Sequence, residues 1–164
     1  MMVNEAKLEL ALLNAKTYGI DRIDMITRFT NRGLAQEVVT RMDELWDKTK
    51  VIAGETIHIG KIIITKIWEF IEANPNMAIG IAVGAAVGAL THMIPFIGSF
   101  LAPITMTLGA VIGGVAGHRL DKMNKDQKVS YGLIGIAEDV VSIAKEFFRL
   151  FAEIFNALKE YFSD

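Results

Sequence analysis

Few residues in this chain are of a type and spacing that could carry out a reaction. There are three histidines, His58, His92 and His118, and no cysteine. None of the histidines has a second ligand at helical spacing, so no helical metal pair is written here. His92 lies in an apolar turn, where a histidine could act as a gate. The plainer expectation is that its ring faces headgroup water. Glu138 and Asp139 are adjacent, so a helix points them apart, while Glu69 and Glu72 belong to a polar stripe. Gly109-Ala-Val-Ile-Gly-Gly lacks the Lys-Ser/Thr pair that completes a phosphate-cradling loop. No Ser-His-Asp arrangement can be drawn. The expectation is a protein that is not an enzyme, with no catalytic, cofactor-binding or metal-binding residue.

The informative spacing belongs to glycine. From Ala73 to His118 there is no Asp, Glu, Lys or Arg. Two ladders of glycine lie inside that stretch, Gly80, Gly84 and Gly88, then Gly109, Gly113 and Gly117. Between them runs His92-Met-Ile-Pro-Phe-Ile-Gly-Ser-Phe-Leu-Ala-Pro103, which reads as a turn. A bilayer core of about 30 Å needs roughly 20 apolar helical residues, with a lower limit near ~17. Met77–Ile94 and Ile104–Arg119 each come close to that limit. The spacing therefore predicts a transmembrane helical hairpin, and a short one. Glycines four apart share one helix face, and a smooth face lets two helices approach where lipid supplies no hydrophobic force. In water a helix-interior glycine costs about 1 kcal/mol relative to alanine. Six such positions call for close packing to offset that cost. The competing reading is a buried hairpin inside a helical bundle.

The ladders and turn resemble bacterial glycine-zipper membrane proteins, in which paired Gly-xxx-Gly-xxx-Gly helices drive homo-oligomer formation. The resemblance covers residues 80–117 and implies helix packing through Gly80, Gly84, Gly88, Gly109, Gly113 and Gly117. The uncharged hairpin is also similar to that of colicin-type pore-forming domains, which bury it in a larger helical shell.

The elements around the hairpin must hold or anchor it. The chain has 164 residues, a net charge of −2 and 52% apolar residues. That bias exceeds the ordinary ~45–50%, and the charge gives no reason to expect nucleic acid. The N-terminus carries early acids and no cleavable apolar core, so insertion is expected to depend on the hairpin. Residues 1–55 read as an amphipathic helical region. Val3–Tyr18 places Leu8, Leu12 and Ala15 at helical spacing, Asp21 caps a second helix, Asn31-Arg-Gly33 ends it, and Leu34–Lys50 is amphipathic. Residues 56–74 form an apolar helix with a narrow polar stripe, although its β-branched content also permits a strand. Trp68 suits an interfacial depth. The hairpin fills 75–119 and a polar linker fills 120–129.

Lys61 and Lys66 precede the hairpin, Arg119, Lys122, Lys125 and Lys128 follow it, and the turn carries no basic residue. The positive-inside rule then puts both termini in the cytoplasm, with Trp68, Arg119 and Lys122 at the membrane interface. Residues 130–164 read as one long amphipathic helix, with a heptad seam through Val140, Ala144, Phe147, Phe151, Ile154, Leu158 and Tyr161. Phe147, Phe148, Phe151, Phe155 and Leu158 form a face wide enough for another copy, a cytoplasmic partner, or the chain's own helices. The fold class expected is an all-α membrane protein: a two-helix transmembrane hairpin with amphipathic N- and C-terminal helices. The leading function is an integral membrane protein, in a bacterial inner membrane, whose homo-oligomer forms a pore or scaffold. The alternatives are a helical protein that inserts its hairpin on contact with lipid, or a membrane-anchored module that recruits a cytoplasmic partner.

Overall fold

The computed structural model describes the backbone of residues 1–122 and 139–162, with side chains at all of these except 111–122. The described chain is helical apart from one two-stranded hairpin. Helix α1 (Val3–Thr17) is built from strong helix formers. Helix α2 (Arg22–Asn31) starts where the Asp21 carboxylate accepts from the Asp24 amide at 2.9 Å. It stops at Gly33, whose φ of +92° suits glycine. There the Leu34 amide reaches the Phe29 carbonyl and the Gly33 amide reaches that of Thr30, a Schellman closure sealed by buried Phe29 and Leu34. Helix α3 (Gln36–Trp46) buries Val38, Val39, Met42, Leu45 and Trp46.

Strands β1 (Lys50–Ile52) and β2 (Glu55–Ile57) pair antiparallel around Ala53-Gly54. Both turn residues have positive φ, 55° and 82°, as a two-residue hairpin with a primed turn requires. The apolar helix expected from residue 56 therefore begins only at Ile59. Helix α4 (Ile59–Ala73) buries Ile59, Ile62, Ile63, Ile64, Ile67, Phe70 and Ile71. Helix α5 (Ile79–Met93) follows, then a 3-10 turn (Pro95–Ile97) and α6 (Gly98–Lys122), which contains Pro103. The helical run 139–147, here α7, precedes α8 (Arg149–Ala157) and a closing 3-10 turn (Lys159–Phe162).

The two most apolar helices lie at the centre. Helix α4 packs on α1, α3 and α5; α5 packs on α4, α6 and α8; α3 reaches across to α6. Arg22 ties α2 to α3 through Asp43 at 2.7 Å and Asp47 at 3.0 Å.

Three expectations are corrected here. First, no helix among the described residues is long and apolar enough to cross a membrane. Helix α5 has 15 residues, about 22 Å at 1.5 Å per residue, against a hydrocarbon core of about 30 Å. Second, α1 turns Ala6, Leu10 and Leu13 inward and leaves Leu8 and Leu12 exposed. It has apolar residues on two faces, so spacing alone does not choose between them. Third, the C-terminal segment is not one continuous helix, because Phe148 separates α7 from α8.

Candidate functional site

The feature most in need of a function is the α5–α6 hairpin, which carries no Asp, Glu, Lys or Arg from Ile79 to His118. Its inner side is ordinary core. Ala82, Val83, Ala85, Ala86, Val87, Ala89 and Leu90 of α5 are buried, as are Leu101, Ile104 and Leu108 of α6. The outer side is different. Gly80 and Gly84 are half-buried, Gly88 and Gly109 are exposed, and Ile81 and Met106 are exposed beside them. A Cβ added at Gly80, Gly84 or Gly109 would meet nothing within 4 Å among the described residues. At Gly88 it would meet Val141 Cγ2 at 3.9 Å, an ordinary contact. The first ladder is thus not pressed against another helix among the described residues. Gly113 and Gly117 lie in α6, as do Arg119 and Lys122, but their side-chain surroundings fall outside the described residues, as does that of His118.

One glycine absent from both ladders does mediate a close approach. The Gly60 Cα faces the C-terminal end of α3. An added Cβ would collide with the Leu45 carbonyl oxygen, and would sit 2.7 Å from the Leu45 carbonyl carbon and 3.0 Å from that of Trp46. The Gly60 amide donates to the Lys48 carbonyl at 3.0 Å, locking the crossing. A search for glycines four apart passes over a solitary one, so nothing in the spacing marked it.

The other expected residues are placed as follows. Phe148, Phe151, Phe155 and Leu158 are buried within the chain, and Phe147 alone is exposed, at 38%. Phe148 lies against Phe70 of α4 at a centroid distance of 5.6 Å, and Phe151 against Phe155 at 4.7 Å. The face expected to meet a partner or another copy is therefore filled from within. Trp68 is half-buried, edge-on to Phe29 of α2 at 5.1 Å. It packs inside the chain, where its indole closes the gap between α4 and α2.

Two asparagines carry ties that the sequence did not announce. Asn14 of α1 donates to the Thr56 carbonyl at 3.2 Å and accepts from the His58 amide at 2.9 Å, fastening the end of β2 to α1. Asn156 of α8 donates to the carbonyl of Met93, the last residue of α5, at 3.0 Å. In both cases the available signal is an amide side chain inside a helix, where its propensity is poor.

Reactive chemistry has little to build on. Among the described residues no three His, Asp or Glu side chains gather as metal ligands. His92 is exposed in the last turn of α5, and His58 precedes α4. A groove of about 570 Å³ runs between α3 and α6, lined by Glu37, Thr40, Arg41, Met106, Thr107 and Ala110. It is open to solvent. The arrangement can bury or present apolar surface. No family model, curated protein or solved structure matches the chain.

Proposed function

We propose that this chain is a helical membrane-inserting protein. It packs the α5–α6 hairpin in a bundle, delivers it to a bilayer on contact, and self-assembles there through its glycine faces as a pore or scaffold. The observation that carries the reading is that, among the described residues, a Cβ at Gly80, Gly84 or Gly109 would meet nothing within 4 Å. Helix-interior glycine costs about 1 kcal/mol relative to alanine, and the described packing gives these positions no return. A second state in which helix backbones meet along that face would give one.

The lack of charge supports the same reading. A charged side chain at bilayer depth costs at least ~2.5 kcal/mol, and residues 74–117 carry none. The inner face of α5 is alanine, valine and leucine, which lipid tails solvate as well as α4 does. The basic residues before and after the hairpin favour a cytoplasmic position for both termini.

The test joins membrane retention to particle size. Membranes from expressing cells are washed at alkaline pH, extracted in mild detergent, and sized by light scattering with the detergent subtracted. Retention with a multi-copy particle is expected, and Gly84→Leu or Gly113→Leu should reduce that particle to a monomer. Complete release by the wash, with no binding to added vesicles, would overturn the reading.

A further inference from the structure

Beside the aromatic row that is filled from within, the C-terminal segment keeps a second row that is not. Ile143 and Phe147 of α7 and Leu150 of α8 are exposed, at 48%, 38% and 67%. They step by four and then three, so they lie along one ridge. The break at Phe148 does not interrupt that ridge. The Phe148 amide donates to the Ala144 carbonyl at 2.9 Å and the Ala152 amide to the Phe148 carbonyl at 2.8 Å, which carries the helical ladder through. Phe147 stands edge-on to Phe70 of α4 at 5.4 Å, so its ring is held in place at the middle of the ridge. Exposed apolar residues scattered singly need no explanation, but three in one row do.

Three acids border the ridge. Asp139 lies four residues before Ile143, Glu146 three after Ile143 and four before Leu150, and Glu153 three after Leu150, so each neighbours an anchor on the helix surface. All three are exposed. Arg149 reaches Glu146 at 3.6 Å, with both side chains mostly in solvent, which makes a weak pair. Among the described residues no cation pairs with Asp139 or Glu153.

We propose that this ridge docks a cationic amphipathic helix of a partner protein, with Ile143, Phe147 and Leu150 as apolar anchors and Asp139, Glu146 and Glu153 facing its lysines or arginines. The inference does not depend on the hairpin entering lipid. Anchors spaced four and three apart suit a second helix laid along them. Charge then selects which helix. In an antiparallel twofold pair of copies, symmetry sets both acidic rows on the same side, against one another. An anionic membrane surface meets the same repulsion. A helix that carries basic residues beside its apolar face meets attraction instead.

The experiment uses the full chain without lipid and two labelled peptides of about 20 residues, long enough to hold a helix. One carries leucine on one face and lysine on the other, and its counterpart carries glutamate in place of lysine. Fluorescence anisotropy measures binding. The lysine peptide should bind and the glutamate peptide should not. Ile143→Asn with Leu150→Asn should weaken the lysine peptide about tenfold or more, as loss of central anchors does. Leu8→Asn with Leu12→Asn, on the exposed face of α1 beside Glu5 and Glu9, should leave binding unchanged. Glu146→Lys with Glu153→Lys should reverse the preference toward the glutamate peptide. If the ridge asparagine pair does not fold, this reversal alone decides. Equal binding of the two peptides, or equal losses from the α1 and ridge variants, would overturn the proposal.

Two other occupants give distinct results. A particle that doubles in mass as concentration rises, and returns to one copy with Ile143→Asn and Leu150→Asn, would place a second copy on the ridge. Lysine-peptide binding that appears only after Lys125→Gln with Lys128→Gln would place the chain's own basic run there. Either result would overturn the partner helix.

Discussion

Gly60 and Gly84 are both helical glycines next to the core, yet their surroundings are opposite. Gly60 sits at the start of α4, where the C-terminal end of α3 leaves no room for even a methyl group. Gly84 sits in the middle of α5, with nothing within 4 Å of where a methyl would go among the described residues. The difference separates two uses of the same residue. At Gly60, glycine is demanded by the packing now present. At Gly84, it is tolerated by the packing of the described residues, which leaves the glycine face unused. A pattern of spaced glycines reveals which faces are smooth, but only neighbouring atoms reveal whether the smoothness is in use.

The largest test of this comparison is Gly60→Ala. The new methyl would run into the Leu45 carbonyl, which belongs to backbone and cannot rotate aside. Helix α4 would have to move off α3, disturbing the buried row of isoleucines behind it. A loss of about 3 kcal/mol or more is expected, since overpacking that forces backbone shifts costs ~1–3 kcal/mol and this contact is tighter than most. Chemical denaturation measures it. A change below ~0.5 kcal/mol, the usual size for a surface substitution, would mean that α3 and α4 do not cross as described.

Next in size is Asn14, which fastens the end of β2 to α1 just before α4. Asn14→Leu keeps the branched shape and removes both hydrogen bonds, leaving the Thr56 carbonyl and the His58 amide without their partner. The site is partly buried, so a loss of about 1–3 kcal/mol is expected. Amide exchange at His58 should accelerate more than that of the α5 core. Equal acceleration at both places would mean that the α1–β2 tie and α5 open as one unit, and the contrast between the surroundings of Gly60 and Gly84 would weaken.

The sequence was legible where local chemistry decides the outcome. Asp21 and Gly33 bracket α2 because a carboxylate satisfies free amides and glycine accepts positive φ, both properties of single residues. Helix α3 was legible because its apolar and polar faces are distinct. The β1–β2 hairpin was not, because Ala53 occupies a turn position usually given to Asn, Asp or Gly. Helix α1 hid its core face by carrying leucine on two sides. In the C-terminal segment the aromatic row was evident, but not whether Phe148 would meet another molecule or Phe70 of its own chain, since periodicity does not name a partner. The break at Phe148 has neither Gly nor Pro to announce it. The candidate site was half legible. The charge-free hairpin and its first glycine ladder were evident, but Asn156 and Gly60 show their importance only through atoms distant in sequence.

The smallest expected effect is the most discriminating for the hairpin. Gly80→Ala and Gly84→Ala each place a methyl where no described residue lies within 4 Å, in a helix whose backbone suits alanine. The unfolded chain loses conformational freedom, and the folded chain pays nothing. Each change should therefore stabilise the chain in water by about 0.4–1 kcal/mol. Gly88→Ala should gain no more than either, because Val141 Cγ2 is already within contact distance. Denaturation midpoints without lipid measure all three. If the same alanines raise stability in water yet weaken self-association in detergent, the glycines serve a state other than the one packed here. If they lower stability in water, the ladder is already occupied, and the second packing state has no support from these positions.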